Sequence, residues 1–435
     1  MTIRAAVVVA LLVAHTVDAA DWSTTAIFRV DGAVSETSKE LQTAETVSDL
    51  DITATFASGW SLRAAVRARA DSEDNLEPGR PEQRERSSFN RRWVLGDSAD
   101  AELREFYLDG HVGRTFLRIG KQQIVWGQAD GLRVLDVVNP FSFREFVWPE
   151  PQDRRIPLWS VKTELPLGPA TLQLVWLPDP TYDEIPLGTA AFAVTTPLLV
   201  PSAATPIPVE PVRRPQGLRD SSDGGARLSM FVGGWDVTLN YLYHTYDDPV
   251  PFVAIKDGIP VLAPGYERSR LFGTTLSNAF GSTTVRGEVG YSTDRWFITT
   301  DATDSDRVFP SDELAFVVGL DNTALSNTLL SVQYFESTVR DPAAQMTRLR
   351  RERQATFLLQ RSWHNESVRV RALWLRSLDR DDGAVQARLS WQATADLSVG
   401  LSLERFYGDR SGLFGEFRDA SRAGLDVQWT WQRGR

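Results

Sequence analysis

The segment Arg114–Pro140, RTFLRIGKQQIVWGQADGLRVLDVVNP, has a regular half followed by an irregular half. Side chains in the first half alternate between two faces, with Thr115, Leu117 and Ile119 on one and Phe116, Arg118 and Gly120 on the other. A period of two predicts a β-strand whose faces meet different surroundings. After Gln122 the alternation stops in a loop closed by Asn139 and Pro140. An Arg and a Gln on one face before a loop suit a pore constriction, although a half-buried hairpin shows the same pattern.

The N-terminus has the features of a signal peptide. Arg4 supplies a short basic region, Ala5–Ala14 an apolar core, and Val17-Asp18-Ala19 a small-x-small cleavage site. We therefore expect residues 1–19 to be removed during export. No later apolar run reaches the roughly 18 residues that a membrane helix needs. The sequence predicts an exported protein of the periplasm, the medium or the outer membrane.

The same alternation recurs along the rest of the chain. Its clearest example is the last segment, where Ala423, Leu425, Val427, Trp429 and Trp431 alternate with Asp426, Gln428 and Thr430. Short turns alternate with longer connections, and long loops are expected at 71–100, 126–155, 178–223 and 247–265. Aromatic residues cluster at segment ends as interfacial girdles do, at Trp60, Trp176, Tyr243, Tyr291 and Trp391.

These regularities predict an all-β fold, a transmembrane antiparallel up-and-down β-barrel of about 18 strands, with 16 also compatible. Residues 20–435 would form this single domain in the bacterial outer membrane, with short periplasmic turns and long extracellular loops. A soluble sandwich, β-helix or propeller would alternate as well. The chain lacks the fixed-period repeat of a propeller, and its connections alternate in length, which favours the barrel.

Composition limits the chemistry. Without cysteine there is no disulfide, thiolate nucleophile or Cys-ligated metal, and a net charge of −10 argues against nucleic acid as a partner. Asp301, Asp304 and Asp306 lack the Glu and Gly of a calcium loop. No HExxH, G-x-S-x-G, Walker or dinucleotide motif occurs. We expect no enzymatic activity, no metal and no cofactor.

Strand parity places charged residues of both signs on the face opposite the lipid, where opposed charges orient polar solutes. Only four of the 47 basic residues are lysines. Arginine suits a polar lumen because its guanidinium group stays charged and can form two hydrogen bonds to one carboxylate. We predict the narrowest zone at Arg118, Gln122 and the loop to Asn139, with Glu105 pairing from the neighbouring strand. The expected wall residues are Arg63, Arg67, Arg369 and Arg371. Alternatively, these charges only pair with one another and hydrate the lumen.

The longest loop, 178–223, is too apolar for a segment that only extends into water. Its apolar residues include Phe192, Leu198 and Leu199, and seven prolines between Pro186 and Pro215 argue against regular strand. Three roles remain open for this loop: a plug folded into the mouth, a contact for a hydrophobic substrate, or a contact with a neighbouring subunit.

The runs RIGKQQIVWG at 118–127 and VVNP at 137–140 resemble the family of Gram-negative outer-membrane proteins catalogued as domain of unknown function 1302. The resemblance implies a large porin-like barrel, sometimes encoded near inner-membrane exporters of hydrophobic compounds. The chain is also distantly similar to alginate-export porins, whose arginine-lined lumen passes an anionic polymer. It is compact for the family, and four polar residues follow Trp431 where barrels commonly end on an aromatic.

Two functions follow as expectations. The first is an outer-membrane porin-like channel for small polar or anionic solutes. The alternative is an outer-membrane component that handles a lipid, sterol or hydrocarbon together with an inner-membrane exporter or uptake system. The expected partners are outer-membrane lipid and the barrel-assembly machinery, joined by an inner-membrane transporter complex in the second case. Substrate, direction of transport and oligomeric state stay open.

Overall fold

The alternating segments form the wall of one closed β-barrel. The computed structural model describes residues 21–194 and 207–434. Eighteen antiparallel strands make the wall, which confirms the predicted fold class. A three-residue strand, β4, pairs only with β5, and β11 and β12 pair only with each other.

In chain order the strands are β1 Asp21–Ser35, β2 Leu41–Thr55, β3 Ser61–Asp71, β4 Trp93–Leu95, β5 Ala99–Val112, β6 Thr115–Gln122, β7 Leu158–Leu167, β8 Ala170–Leu177, β9 Asp223–Val232, β10 Trp235–Thr245, β11 Val250–Lys256, β12 Ile259–Gly265, β13 Arg268–Phe280, β14 Thr283–Ile298, β15 Val308–Asn322, β16 Thr328–Val339, β17 Arg351–Trp363, β18 Val368–Ser377, β19 Asp382–Gln392, β20 Leu397–Gly408 and β21 Arg422–Gly434. Helical structure in the described residues is confined to α1 Pro151–Arg154, α2 Leu218–Ser221 and a 3₁₀ turn, Gly415–Ala420. None of these helices has the length and apolar character needed to cross a membrane.

The barrel closes because β1 pairs with β2 on one side and with β21 on the other. The β1–β21 register runs from Ser23 opposite Gly434 to Ser35 opposite Arg422. An open sheet would leave unpaired N–H and C=O groups at its two edges, and hydrocarbon offers them no partner. Closure gives the backbone of the first and last strands the partners that a lipid-exposed wall requires.

The long connections all lie at one end of the barrel, together with the short connections 36–40 and 378–381, and the other end has only short turns. The turn Gly233-Gly234 has φ angles of 60° and 88°, which suits glycine because a side chain disfavours positive φ. The longest connections span 72–98, 123–157, 178–222 and 246–267, close to the predicted long loops. The predicted loop 247–265 contains the hairpin β11–β12, which turns at Asp257-Gly258.

The two faces of the wall differ in polarity. On β21, Val427 projects outwards and is 40% exposed, whereas its neighbour Asp426 projects into the lumen and is 4% exposed. The same alternation holds on the other wall strands, where most large exposed side chains are apolar. An apolar outer surface around a polar interior is the arrangement of a lipid-facing barrel.

Replacing Val427 by Arg tests this assignment of faces. In lipid vesicles Val427→Arg should lower the free energy of unfolding by about 2–4 kcal/mol, because a charge on the lipid face near the middle of a strand must be buried in hydrocarbon. Thr430→Arg on the same strand faces the lumen and should cost less than about 1 kcal/mol. Urea titration followed by tryptophan fluorescence measures both. Equal losses in the two variants would contradict the assignment.

Candidate functional site in the lumen

The connection 123–157 between β6 and β7 folds into the barrel and reaches the opposite wall. We call it the lumen loop. The backbone N–H groups of Gln128 and Leu135 both donate to the Glu288 carboxylate on β14, the latter at 3.3 Å. A loop that leaves the sheet carries backbone donors that need partners when buried. A wall carboxylate supplies them here.

A second attachment lies beside the first. The N–H of Asp130 donates to Gln333 Oε1 on β16 at 3.1 Å, and the Gln333 amide donates back to the Asp130 carboxylate at 2.7 Å. Arg286 on β14 forms an ion pair with the same carboxylate. The lumen loop is thus bonded to strands that lie more than 150 residues away in sequence.

Glycines on the wall make room for apolar side chains of the lumen loop. Leu135 and Trp126 are fully buried. A Cβ at Gly273 on β13 would clash with Leu135 Cδ2, and a Cβ at Gly225 on β9 would lie 2.7 Å from Trp126 Cη2. Close packing of this kind fixes the position of the loop, since a larger wall residue would displace it.

Gln122 and Asn139, predicted at the constriction, are fully buried at the base of the lumen loop. Asn139 Oδ1 accepts the Ile124 N–H at 2.7 Å, and its amide donates to the carbonyls of Gln122 and Ile156 at 3.3 and 2.9 Å. The Gln122 amide donates to backbone carbonyls of the wall, including that of Ser160 at 3.3 Å. The structure therefore places both side chains where they hold the two ends of the loop together.

The second half of the lumen loop contacts the other side of the wall through charged groups. Three ion pairs join loop carboxylates to wall guanidinium groups: Glu145 with Arg422, Glu150 with Arg371 at 3.4 Å, and Asp153 with Arg67 at 2.7 Å. The first half of the loop is therefore attached mainly by hydrogen bonds and by apolar packing on wall glycines, and the second half adds three ion pairs through carboxylates of its own.

An aromatic cluster lies between the lumen loop and strands β17–β20. The ring of Phe146 lies 4.3 Å from that of Phe417, and the ring of Trp148 lies 4.5 Å from that of Phe406. Phe192, from the loop predicted as plug or substrate contact, is buried in this cluster. Leu198 and Leu199 lie outside the described residues.

Two of the cavities beside the lumen loop lie against the wall strands. The first has a volume of about 370 Å³ and lies against β18–β21, β1–β3 and β5, and its lining includes ten arginines and eight acidic residues. The second has a volume of about 670 Å³, lies against β10 and β13–β18, and includes His244, Glu313 and Arg348. Below this second cavity, towards the short turns, the lumen loop is hydrogen-bonded to Glu288 and Gln333.

The predicted wall residues fall at different heights in the lumen. Arg67 and Arg371 line the first cavity. Arg63 lies nearer the short turns, and Arg369 lies at the short-turn end of β18, 3.8 Å from Glu366. The loop residues Glu145, Glu150 and Asp153 were missed, since the constriction was expected to end at Asn139. The mixture of aromatic and charged residues in 141–155 is the signal that could have revealed them.

Arg118 pairs with a partner other than the predicted one. Its guanidinium lies 2.6 Å from the Asp109 carboxylate and stacks on Tyr107 at 4.1 Å. Glu105 instead pairs with Arg63 at 2.9 Å. Both pairs lie between the lumen loop and the short turns, where they form part of the inner wall.

No metal centre is evident in residues 21–194 and 207–434, where no three His, Cys, Asp or Glu side chains are arranged to hold an ion.

In solved structures, a closed 18-strand antiparallel barrel of this kind is the fold of outer-membrane porins. OccAB3 of Acinetobacter baumannii is similar with a TM-score of 0.53 at 9% identity, over 95% of this chain and 99% of that chain. OpdK of Pseudomonas aeruginosa, solved with vanillate, has a TM-score of 0.52 at 10% identity, over 96% and 100%. A BenF-like porin of Pseudomonas fluorescens Pf-5 has a TM-score of 0.51 at 9% identity, over 96% of this chain and 100% of that chain. At these identities the likeness concerns the fold.

The family itself is shown by sequence. The profile described as protein of unknown function (DUF1302) matches residues 45–365, and the chain belongs to this family, as the motifs at 118–140 predicted. A comparison with curated proteins finds no match.

Substitution of Gly273 tests how the lumen loop is held. Gly273→Phe removes the space that Leu135 occupies, so hydrogen–deuterium exchange in residues 126–138 should become at least about tenfold faster. Gly287→Phe is the matched control, because a Cβ there faces lipid and meets only Val317 O at 3.4 Å. Unchanged exchange in Gly273→Phe, in a barrel that still folds, would show that the packing of Leu135 does not hold the loop.

A buried carboxyl group joins the lumen loop to the connection 178–222. Asp183 accepts the Phe141 N–H at 2.5 Å and pairs with Arg133 at 3.2 Å. Burial raises the pKa of Asp183 to about 6, with Arg133 opposing the shift and Asp248 adding to it. Since the folded pKa is raised above the ordinary value of 3.8, the stabilisation is fully present below about pH 4 and is lost as the pH rises through 6.

Asp183→Asn should remove this part of the pH dependence. Between pH 4 and pH 7 the wild type should lose up to about 3 kcal/mol of unfolding free energy relative to the variant, because an amide keeps the acceptor and does not ionise. Urea titrations of both proteins at the two pH values measure the difference. Parallel pH profiles would exclude Asp183 as the titrating group.

Proposed function

We propose that the protein is a porin-like channel of the bacterial outer membrane, which passes small polar or anionic solutes through the first cavity. The observation that carries the proposal is the charge of this cavity, whose lining has ten arginines against eight acidic residues. The proposal assigns passage of solutes, with no covalent chemistry.

The excess of arginine in the lining and two ion pairs of the wall favour anions. The Arg388 side chain is 42% exposed, whereas its partner Asp426 on β21 is only 6% exposed. In the neighbouring pair Arg29 and Asp31, both side chains are 29% exposed. In these two wall pairs, guanidinium groups present at least as much charge to the cavity as carboxylates do, whereas in the three ion pairs between the lumen loop and the wall the carboxylate is the more exposed member. Charges of one sign in a low-dielectric channel raise the local concentration of counter-ions.

The two sides of the lumen loop differ in a way that supports this path. Beside the second cavity, Leu135 packs against wall glycines and its N–H is bonded to Glu288. Beside the first, ion pairs such as Arg67 with Asp153 accompany the aromatic packing of Phe146 and Trp148. Hydrated ion pairs exchange partners more readily than buried apolar contacts do, so the first cavity is the better route for a charged solute.

The purified protein should form ion-conducting pores in planar lipid bilayers with a preference for anions. Arg388→Gln should lower the anion-to-cation permeability ratio about two- to fivefold, the weight of one partly exposed charge. Arg270→Gln is the matched control, since Arg270 is also about half exposed but lies on the outer surface. Reversal potentials under a salt gradient measure the ratio. A folded wild-type barrel without conductance would overturn the proposal.

A second candidate is the handling of a hydrophobic substrate together with an inner-membrane transport complex. It is favoured by a cleft of about 320 Å³ between two outer loops, whose lining includes Leu76, Ile185, Pro186 and Leu187. The aromatic cluster around Phe192 lies close behind, because Leu76 belongs to both. Mass spectrometry of lipids and hydrocarbons that remain bound to the purified barrel tests this candidate, and their absence counts against it.

A further inference from the structure

Two arginines on neighbouring strands line the wall of the first cavity. Arg371 on β18 is directly opposite Arg388 on β19 in the strand register, and both side chains face the lumen. Like charges in this relation repel each other. Anions that lie close to the two arginines offset this repulsion.

The anions that neutralise the pair come from different parts of the structure. Arg388 Nη2 lies 2.8 Å from Asp426 on the wall strand β21. Arg371 lies 3.4 Å from Glu150, which belongs to the lumen loop. One arginine thus has a counter-ion fixed in the barrel wall, and the other depends on a loop residue.

Glu150 forms the loosest of the three ion pairs between the lumen loop and the wall. Its side chain is 45% exposed, against 34% for Asp153 and 21% for Glu145. Its separation from Arg371 is 3.4 Å, whereas Asp153 lies 2.7 Å from Arg67. A long, exposed pair has little net stability, because water competes for both groups.

The guanidinium of Arg371 stays in place without Glu150. Arg371 Nη1 donates to Gln386 Oε1 at 3.0 Å, and the Gln386 amide donates to the Trp148 carbonyl of the lumen loop at 2.9 Å. Gln386 thereby orients the arginine and also links the wall to the loop. Departure of the Glu150 side chain would leave a positioned guanidinium facing the cavity.

Building on the proposed channel function, we propose that Arg371 forms a subsite for an oxyanion, carboxylate or phosphate, that Arg388 on the neighbouring strand adds positive charge to it, and that Glu150 is its displaceable internal counter-ion. A guanidinium binds such groups through two parallel hydrogen bonds. A solute oxyanion that enters the cavity takes the place of the Glu150 carboxylate on Arg371. When the solute leaves, Glu150 returns.

Exchange of one oxyanion for another explains how the site binds without trapping its solute. The arginine pair is never left without a counter-ion, so entry and departure each replace a similar interaction. Conduction requires binding that is strong enough for entry and weak enough for release. Glu150 provides the second condition by competing with the bound solute.

Removal of the charge of Glu150 tests the proposal. In planar bilayers, Glu150→Gln should raise the permeability of acetate and phosphate relative to potassium about two- to fivefold, and that of chloride by less. In the Arg371→Gln background the same substitution should have less than half of this effect. Arg371→Lys keeps the charge but loses the planar guanidinium group that binds an oxyanion through two hydrogen bonds. It should therefore lower the preference for the oxyanions over chloride.

Glu352→Gln is the matched control, because Glu352 makes the same kind of pair with Arg348 but lines the second cavity. It should leave all permeability ratios unchanged. A response to acetate alone or to phosphate alone identifies the source of the oxyanion and supports the subsite. Correct folding of each variant is checked by its heat-modifiable migration on gels.

Three results would overturn the subsite while leaving the channel function intact. Provided that the wild type conducts, the first is a Glu150→Gln variant whose permeability ratios and conductance are both unchanged. The second is a permeability that rises equally for chloride and for the oxyanions. The third is a conductance that rises equally for anions and for cations. The last would mean that Glu150 only holds the lumen loop in place. A wild-type barrel that does not conduct would overturn the channel function itself.

Discussion

Within the membrane, every backbone N–H and C=O group that leaves the strand ladder of this barrel must find its partner on the inside, because the lipid outside offers none. The pairing of β1 with β21 meets this requirement for the wall. For the lumen loop, the requirement is met by side chains that project inwards, with Asn139 at its base and Glu288 on the far wall. The position of the loop, and hence the shape of the passage, follows from where these acceptors stand.

The same constraint explains why the lumen contains charges of both signs. A polar interior in a barrel of this width must neutralise most of its charges locally, since an unpaired charge in a confined space is costly. Wall residues do so among themselves near the short turns, as in the pair Arg63 and Asp51. Beside the first cavity, loop carboxylates take part, and the wall arginines there have partners that lie on a separate segment of chain.

Strand faces could be predicted from the sequence because the period of two is local, as on β21 around Val427. The register of the β5–β6 hairpin could also have been derived, since pairing of Val112 with Thr115 places Arg118 opposite Asp109. The path of the lumen loop could not be predicted, because it depends on Gly273 and Glu288, which are distant from the loop in sequence. Asp257-Gly258 is a strong hairpin signal, which the prolines around it obscured.

The attachments of the lumen loop differ in what can break them. Contacts of Leu135 with wall glycines are apolar and insensitive to solutes, so they hold that half of the loop under all conditions of transport. Ion pairs such as Glu150 with Arg371 are weakened by any anion that competes for the guanidinium. Aromatic packing of Phe146 and Trp148 holds the second half of the loop as well, so an exchangeable ion pair at Glu150 makes the passage responsive to the solute without requiring the loop to move. The exchange needs only side-chain rotation at Glu150, which is fast compared with motion of a packed loop.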